Sequence, residues 1–361
     1  MELLTLNENF QPANLIENYG SLLWTERYST PGDFQLVTND ISRFIKALPL
    51  ESMVTLREST VPMMVEIHKI EKKPGMAPVL TITGRSFETV LERRASAKVD
   101  PSPEAFRVAW TEAADKESDA AYIALRKILG DVARPPLLAQ IPQMSTNDAL
   151  PMVDLILPDD FSTGTTNNYD IKPGNLYSVV LELLTTNHHG IKSVRPALGN
   201  TKIGIEIYNG ADLTDIVVFD AKFDQFDDAT YLLSNTGSTN WAYVFSKSAS
   251  QMVAKNTAPE PSGLDRRVLY LDVSGEEGAD SEAARRTRGL IELYKYNATA
   301  LFDGQISQQV ADGYSRDYFL GDIIRLDGEY GLSENARVAE FIRSDDNTGS
   351  KAYPTFEVVS S

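Results

Sequence analysis

Apolar and polar residues alternate with a period of two over much of the chain, so strands are the first elements the sequence predicts. In GSLLWTERYSTPGDFQLV (20–37), Leu22, Trp24 and Tyr28 share one parity with Glu26. The alternation breaks at Pro31-Gly32 and restarts at Phe34 and Leu36, as in a hairpin with a Pro-Gly turn. A second hairpin follows, in which Met63, Val65 and Ile67 face one way and Glu66 and His68 the other. KKPG turns the chain, VLTIT returns it and Gly84 ends the strand. Ser86 is placed to cap a short helix whose Phe87, Val90 and Leu91 recur at i, i+3 and i+4, folding GRSFETVLERR back over the sheet. Residues 1–95 read as an N-terminal, barrel-like β-domain.

The pattern changes over 96–160. Tyr122, Leu125, Ile128 and Leu129 recur at helical spacing before Gly130, and the proline-punctuated ARPPLLAQIPQ follows, so this stretch reads as a helical insert and connector. Residues 161–278 read as a second β-domain, with LYSVVLELL, IGIEIYNG and DIVVFDA as short strands rich in β-branched residues. Residues 279–361 begin with a helix over 279–302, with Ser281 as its cap and a stripe of Leu290, Leu293, Tyr294 and Leu301; strands then close a barrel-like domain. In that last part YSRDYFLGDIIRL (314–326) is a tight Gly321-Asp322 step into a strand carrying Ile323, Ile324 and Leu326. DGEYG turns it and ARVAEFIR pairs back. The predicted fold class is mainly β with α+β elements, in several domains: two barrel-like β-domains and a helical insert.

Composition narrows the function. The 361 residues hold 42% apolar and 24% charged side chains, as in a soluble globular chain of more than one core. With 34 Lys and Arg against 51 Asp and Glu, the net charge of −17 repels phosphate, so affinity for nucleic acid by counterion release is not expected. The absence of cysteine removes disulfides, thiolate catalysis and Cys-ligated zinc. MELLTLNENF lacks the basic and apolar regions of a signal peptide, and no membrane-spanning apolar run occurs.

Each chemical candidate has a plainer reading. His68 beside Glu66 has the residue types of an acid/base pair, yet fits a solvated strand position. His188 and His189 point in opposite directions on an extended chain, which suits a loop tip better than a shared metal. Asp220, Asp224, Asp227 and Asp228 alternate with Phe219, Phe223 and Phe226 without the order of a calcium loop, so buried rings opposite a solvated face are expected. SDDNTGS, with Asp345, Asn347 and Gly349, reads as a hairpin turn. NAT at 297–299 matches a glycan acceptor but falls within the predicted helix. Nucleotide-binding, serine-hydrolase and metalloprotease motifs are missing. No catalytic, cofactor-binding or metal-binding residue is assigned. Two alternatives stay open: a carbohydrate-binding component using Trp24, Trp110 or Trp241 as stacking platforms, and a hydrolase with two carboxylates.

Five segments in series carry a family resemblance: SLLWTERYSTPGDFQLV, ITGRSFETVLERR, IYNGADLTDIVVFDAKFDQFDDATYLLS, GLDRRVLYLD and RDYFLGDIIRLDGEYGLSENARVAEFIR. Together they resemble the tail-hub, or minor tail, family of long-tailed siphophages, which is similar to the hub of contractile-phage baseplates. The resemblance implies a structural protein of the virion tail tip, made in the host cytoplasm, with no cofactor and no enzymatic role. It implies a homotrimer, two barrel-like domains per chain forming a pseudo-sixfold ring. That ring would join the tail tube and distal tail protein to threefold tip components. The implied partners are the distal tail protein, the tape measure protein and the tip or fibre proteins, with DNA passing through unbound and no membrane insertion. No hydrolase or fibre segment is expected after the last strand.

Overall fold

The computed structural model describes residues 1–93, 95–96, 106–108, 153–156, 169–171, 174–186, 189–223, 225–255, 260–275, 280–296, 299–306, 313–328 and 333–359. The chain is mainly β, as its alternation predicts.

The N-terminal part holds β1 (Leu3–Leu6), β2 (Pro12–Ile16), β3 (Ser21–Arg27), β4 (Asp33–Thr38), helix α1 (Ile41–Ala47), β5 (Met53–Leu56), β6 (Met63–Glu71) and β7 (Val79–Ser86). The two predicted hairpins, β3–β4 and β6–β7, form as read, with Trp24 opposite Phe34 in the first. Asp40 starts α1 by accepting a hydrogen bond from the Arg43 amide at 3.4 Å. GRSFETVLERR does turn back over the sheet, as a 3₁₀ helix from Phe87 to Arg93.

In β6 the expected parity fails at one point. Met63 and Val65 are buried, but Ile67 is 55% exposed, because a bulge between Val65 and Ile67 places an extra residue against β7. A single inserted residue sends every later side chain to the opposite face.

The middle and C-terminal parts supply β8 (Val153–Ile156), α2 (Leu176–Thr186), β9 (Gly190–Val194), β10 (Ile203–Tyr208), β11 (Val218–Asp220), β12 (Phe226–Ser234), β13 (Trp241–Phe245), β14 (Ser250–Ala254), β15 (Val268–Asp272), α3 (Glu282–Lys295), β16 (Thr299–Ile306), β17 (Ile323–Asp327), β18 (Ser333–Asp346) and β19 (Gly349–Val358). LYSVVLELL is therefore a helix and not the predicted strand. Leu176, Val180 and Leu184 are buried one turn apart, and Asn175 accepts from the Ser178 amide at 3.1 Å, as a cap does. Ser281 caps α3 as expected, accepting from the Ala284 amide at 3.1 Å. That helix ends at Lys295, however, and Leu301 lies in β16 paired with Leu232. The helix predicted around Tyr122 to Leu129 lies outside the described residues.

One sheet of eleven strands organises the molecule. Its path runs β11-β17-β18-β3-β4-β7-β6-β5-β1-β2, with β19 also paired to β18. Among the described residues this path is open, and no pairing joins its two ends. The long β18 bridges its two halves: residues 333–337 pair with β17, whereas 340–346 pair with β3. A bulge near Ala339 separates those halves. Each half has its own core. One gathers Leu22, Trp24, Phe34, Leu36, Met63 and Ile82, the other Phe219, Tyr318, Ile324, Val338, Phe341 and Phe356. A separate three-stranded sheet, β14-β13-β15, buries Ala242, Val244 and Val253 against Leu293 of α3. In α3 Gly289 permits that approach, since a Cβ there would lie 2.9 Å from Val244. Among the described residues no helix is long and apolar enough to cross a membrane.

Candidate functional site

A cleft of 480 Å³ opens where the two halves of the large sheet meet, lined by parts of β3, β9, β10, β18 and the Tyr314–Asp322 loop. Its floor holds a buried ion pair. Glu26 occupies the apolar parity of β3, as its alignment with Leu22 and Trp24 implies, and is only 7% exposed. Its Oε1 accepts from Trp24 Nε1 at 3.0 Å and from Arg343 Nη1 at 3.0 Å. Arg343 lies diagonally across the β3–β18 ladder, which pairs Phe341 with Glu26 and Arg343 with Trp24. The guanidinium packs on the Phe341 ring at 4.5 Å, and Tyr314 stacks on the same ring with centroids 3.7 Å apart. The carboxylate, indole and guanidinium thus satisfy one another out of water.

A tyrosine forms the joint between segments far apart in sequence. Tyr28 meets Tyr208 edge-on at 5.2 Å, and Arg337 lies over its ring at 4.9 Å. Gly190 and Gly321 press on it from the other segments; a Cβ at either would come within 2.3 Å of the ring. Gly321 also has φ +92°, which a side chain disfavours, so Gly321-Asp322 is the tight step the sequence predicts. Asp322 fixes that step by accepting from the Ala211 and Phe319 amides, both at 2.8 Å. Beyond it, Ile324 and Leu326 enter the core.

Glu88, on the 3₁₀ helix, is 1% exposed and accepts from the Ser193 amide at 3.1 Å and from the Ser86 hydroxyl. Burial pushes its carboxyl above the ordinary range, against the lowering effect of those hydrogen bonds. Burial likewise raises the Tyr208 and Tyr314 hydroxyls well above their usual value, so both rings stay neutral. The three cations of the lining each have an acid: Arg27 has Glu340 at 2.5 Å and also Asp33, Lys192 has Glu206 at 3.3 Å, and Arg343 has Glu26. The cations of this cleft are thus neutralised by acids of the same chain, while the buried Tyr208 hydroxyl, which also lines it, has no hydrogen-bond partner among the described residues.

The residues weighed on sequence grounds are scattered. His68 contacts the Leu48 carbonyl through Nε2 at 2.7 Å, in the hairpin beyond the β6 bulge. His189 is buried, with Nδ1 against Asn209 Oδ1; His188 and Asp224 lie outside the described residues. Asp220 accepts from the Lys222 amide at 2.9 Å, as part of a turn after β11. Asp227 and Asp228 belong to β12. Phe219 is a core residue, whereas Phe223 is 74% exposed. SDDNTGS is the β18–β19 hairpin turn: Asp346 accepts from the Thr348 amide at 2.7 Å, and Gly349 has φ +125°. Asn297 lies outside the described residues, and the glycan motif ends at Thr299 in β16. Trp24 is fully buried and provides no platform, Trp110 lies outside the described residues, and Trp241 carries Arg266 over its ring at 4.3 Å. Among the described residues no group of three His, Asp or Glu side chains is placed to share a metal ion.

The model of the siphovirus ReqiPepy6 Gp37-like family matches residues 2–356. The chain belongs to that family. The tail-family resemblance of the five segments therefore stands, and the fold agrees with it. A prophage MuSo2 43 kDa tail protein from Shewanella oneidensis shares it with a TM-score of 0.58 at 14% identity, over 99% of this chain and 95% of the other. A tail protein from Neisseria meningitidis MC58 gives 0.55 at 9% identity, with the same coverage of both chains. The prophage tail protein gp18 from Listeria monocytogenes EGD-e gives 0.54 at 11%, over 100% and 95%. No curated protein sequence matches the chain. This family member thus has the fold of phage tail proteins over nearly its whole length, and the central cleft is its internal joint.

Proposed function

We propose that this family member is a structural hub of a siphovirus tail tip, in which three copies form a ring around the path of the DNA. The observation that carries the reading is the family match over 355 of 361 residues, joined to a tail-protein fold covering as much. In this reading each chain contributes two barrel-like domains, giving the ring pseudo-sixfold symmetry toward the tail tube. Its neighbours are the distal tail protein, the tape measure protein and tip or fibre proteins. The charge of −17 supports a lumen that DNA passes without adhering, and the internally paired cleft supports a role without catalysis. An electron-microscopy map of intact tails tests it, with threefold density for this chain at the tip expected. A sixfold or single-copy arrangement overturns the ring, and clearing of a cell-wall gel by the purified protein overturns the non-enzymatic reading.

One observation favours a second reading, contact with host carbohydrate. On the face of β13 and β15 away from α3, Tyr243 lies 6.1 Å from Tyr270 and 6.0 Å from Phe245, and Tyr270 is 74% exposed. A flat exposed ring beside two half-buried ones suits stacking on sugars. Retention on host cell-wall polysaccharide that Tyr270→Ala abolishes would support this reading; passage of the wild-type protein without delay would remove it.

A further inference from the structure

We propose that the β6–β7 hairpin is an arm that docks on the β11 edge of a second copy of this chain. The inference rests on the ring reading and gives it a contact. Beyond the β6 bulge, residues 69–77 are all exposed, and Ile67, Ile70 and Met76 are each more than half exposed. Three lysines, Lys69, Lys72 and Lys73, stand there against Glu71 alone, so the arm carries +2 on a chain of −17. Lys69 meets Glu71 at 3.1 Å, while Lys72 and Lys73 at the turn have no acid partner among the described residues. A basic, apolar ribbon on an acidic protein calls for an acidic, apolar acceptor.

The far end of the same sheet is such an acceptor. Among the described residues β11 pairs only with β17, which leaves it at the sheet edge. Ile216 before it and Phe223 after it are 77% and 74% exposed, and Asp212, Asp215 and Asp220 stand nearby against Lys222 alone. Arm and edge lie on different parts of one chain, so the contact is heterologous, and head-to-tail repetition closes into a ring when its rotation divides the circle. DNA is the other polyanion available to the lysines, but phosphate gives no use to Ile67, Ile70 and Met76.

Sedimentation of the full-length protein over a range of concentrations decides. The wild type is expected to self-associate, Lys72→Glu with Lys73→Glu to weaken that association by at least about tenfold, and adding Asp212→Lys and Asp215→Lys to restore it. Restoration distinguishes a contact from misfolding, because four exposed reversals have no other route to recover association. Association that the arm reversal leaves unchanged overturns the arm while the ring reading stands on the tail map. A wild type monomeric at every concentration also overturns it, as does an arm reversal that abolishes binding of a DNA duplex without altering mass. Threefold symmetry failing in the tail map overturns the ring itself.

Discussion

Arg343 and Glu26 are the side chains whose removal discriminates best between a joint and an idle cleft. Arg343→Met leaves the Glu26 carboxylate buried with only Trp24 to satisfy it, and breaking a buried pair from one side costs about 3–5 kcal/mol. Urea denaturation should show that loss, and adding Glu26→Gln should recover part of it; a loss under about 1 kcal/mol would mean water reaches the pair. Glu88 gives a pH signature. In the unfolded chain it ionises in the ordinary range, so between there and its raised folded value the unfolded state holds fewer protons. Stability from this group is therefore fullest below about pH 4.3 and declines as pH climbs toward the folded value. Glu88→Gln retains an acceptor for the Ser193 amide, so its melting temperature should vary less than that of the wild type between about pH 4 and 8. Parallel profiles would show that Glu88 does not titrate differently on folding. At this scale half of the site was legible. Glu26 shares parity with Leu22 and Trp24, which marks an acid on an apolar face, but its partner lies 317 residues away, beyond any local pattern.

Among the elements, those built on local alternation were readable and those decided by tertiary contacts were not. The β3–β4 hairpin follows from its parity and Pro-Gly break. Val179 and Val180 give 176–184 a strand-like composition, yet the burial of Leu176, Val180 and Leu184 overrides that preference and makes a helix. The β6 bulge is equally silent, because no residue type demands it, and it alone exposes Ile67 and frees the arm. In β17 the alternation does hold: Ile324 is fully buried and Ile323 is not. Ile324→Asp buries an unpaired carboxylate and should cost on the order of several kcal/mol, whereas Ile323→Asp should cost much less. Thermal melts of the two variants check this ordering, and equal losses would mean that the strand face is misread.

Over the whole molecule, β18 makes the first and last parts of the chain one sheet. Its 333–337 half pairs within the core of Phe219 and Ile324, and its 340–346 half holds β3 and therefore Trp24. A strand shared by two cores transmits the loss of one to the other, because unpairing 333–337 removes the support of the Arg343 segment and strands Glu26. Ile324→Asp should thus lower the melting midpoint reported from the N-terminal core as well as its own. With Trp110→Phe and Trp241→Phe in the background, Trp24 is the sole indole, and its fluorescence reports the core of Leu22 and Phe34 alone. The Trp24 midpoint should fall by several degrees in Ile324→Asp, at roughly 2 °C or more per kcal/mol, in step with the far-ultraviolet signal of the strands. If Trp24 instead melts at its original temperature while the strand signal splits into two transitions, the halves are independent units and β18 only tethers them. In the proposed hub reading, a chain that joins other tail components has reason to be a single cooperative sheet, and this measurement says whether the molecule is built that way.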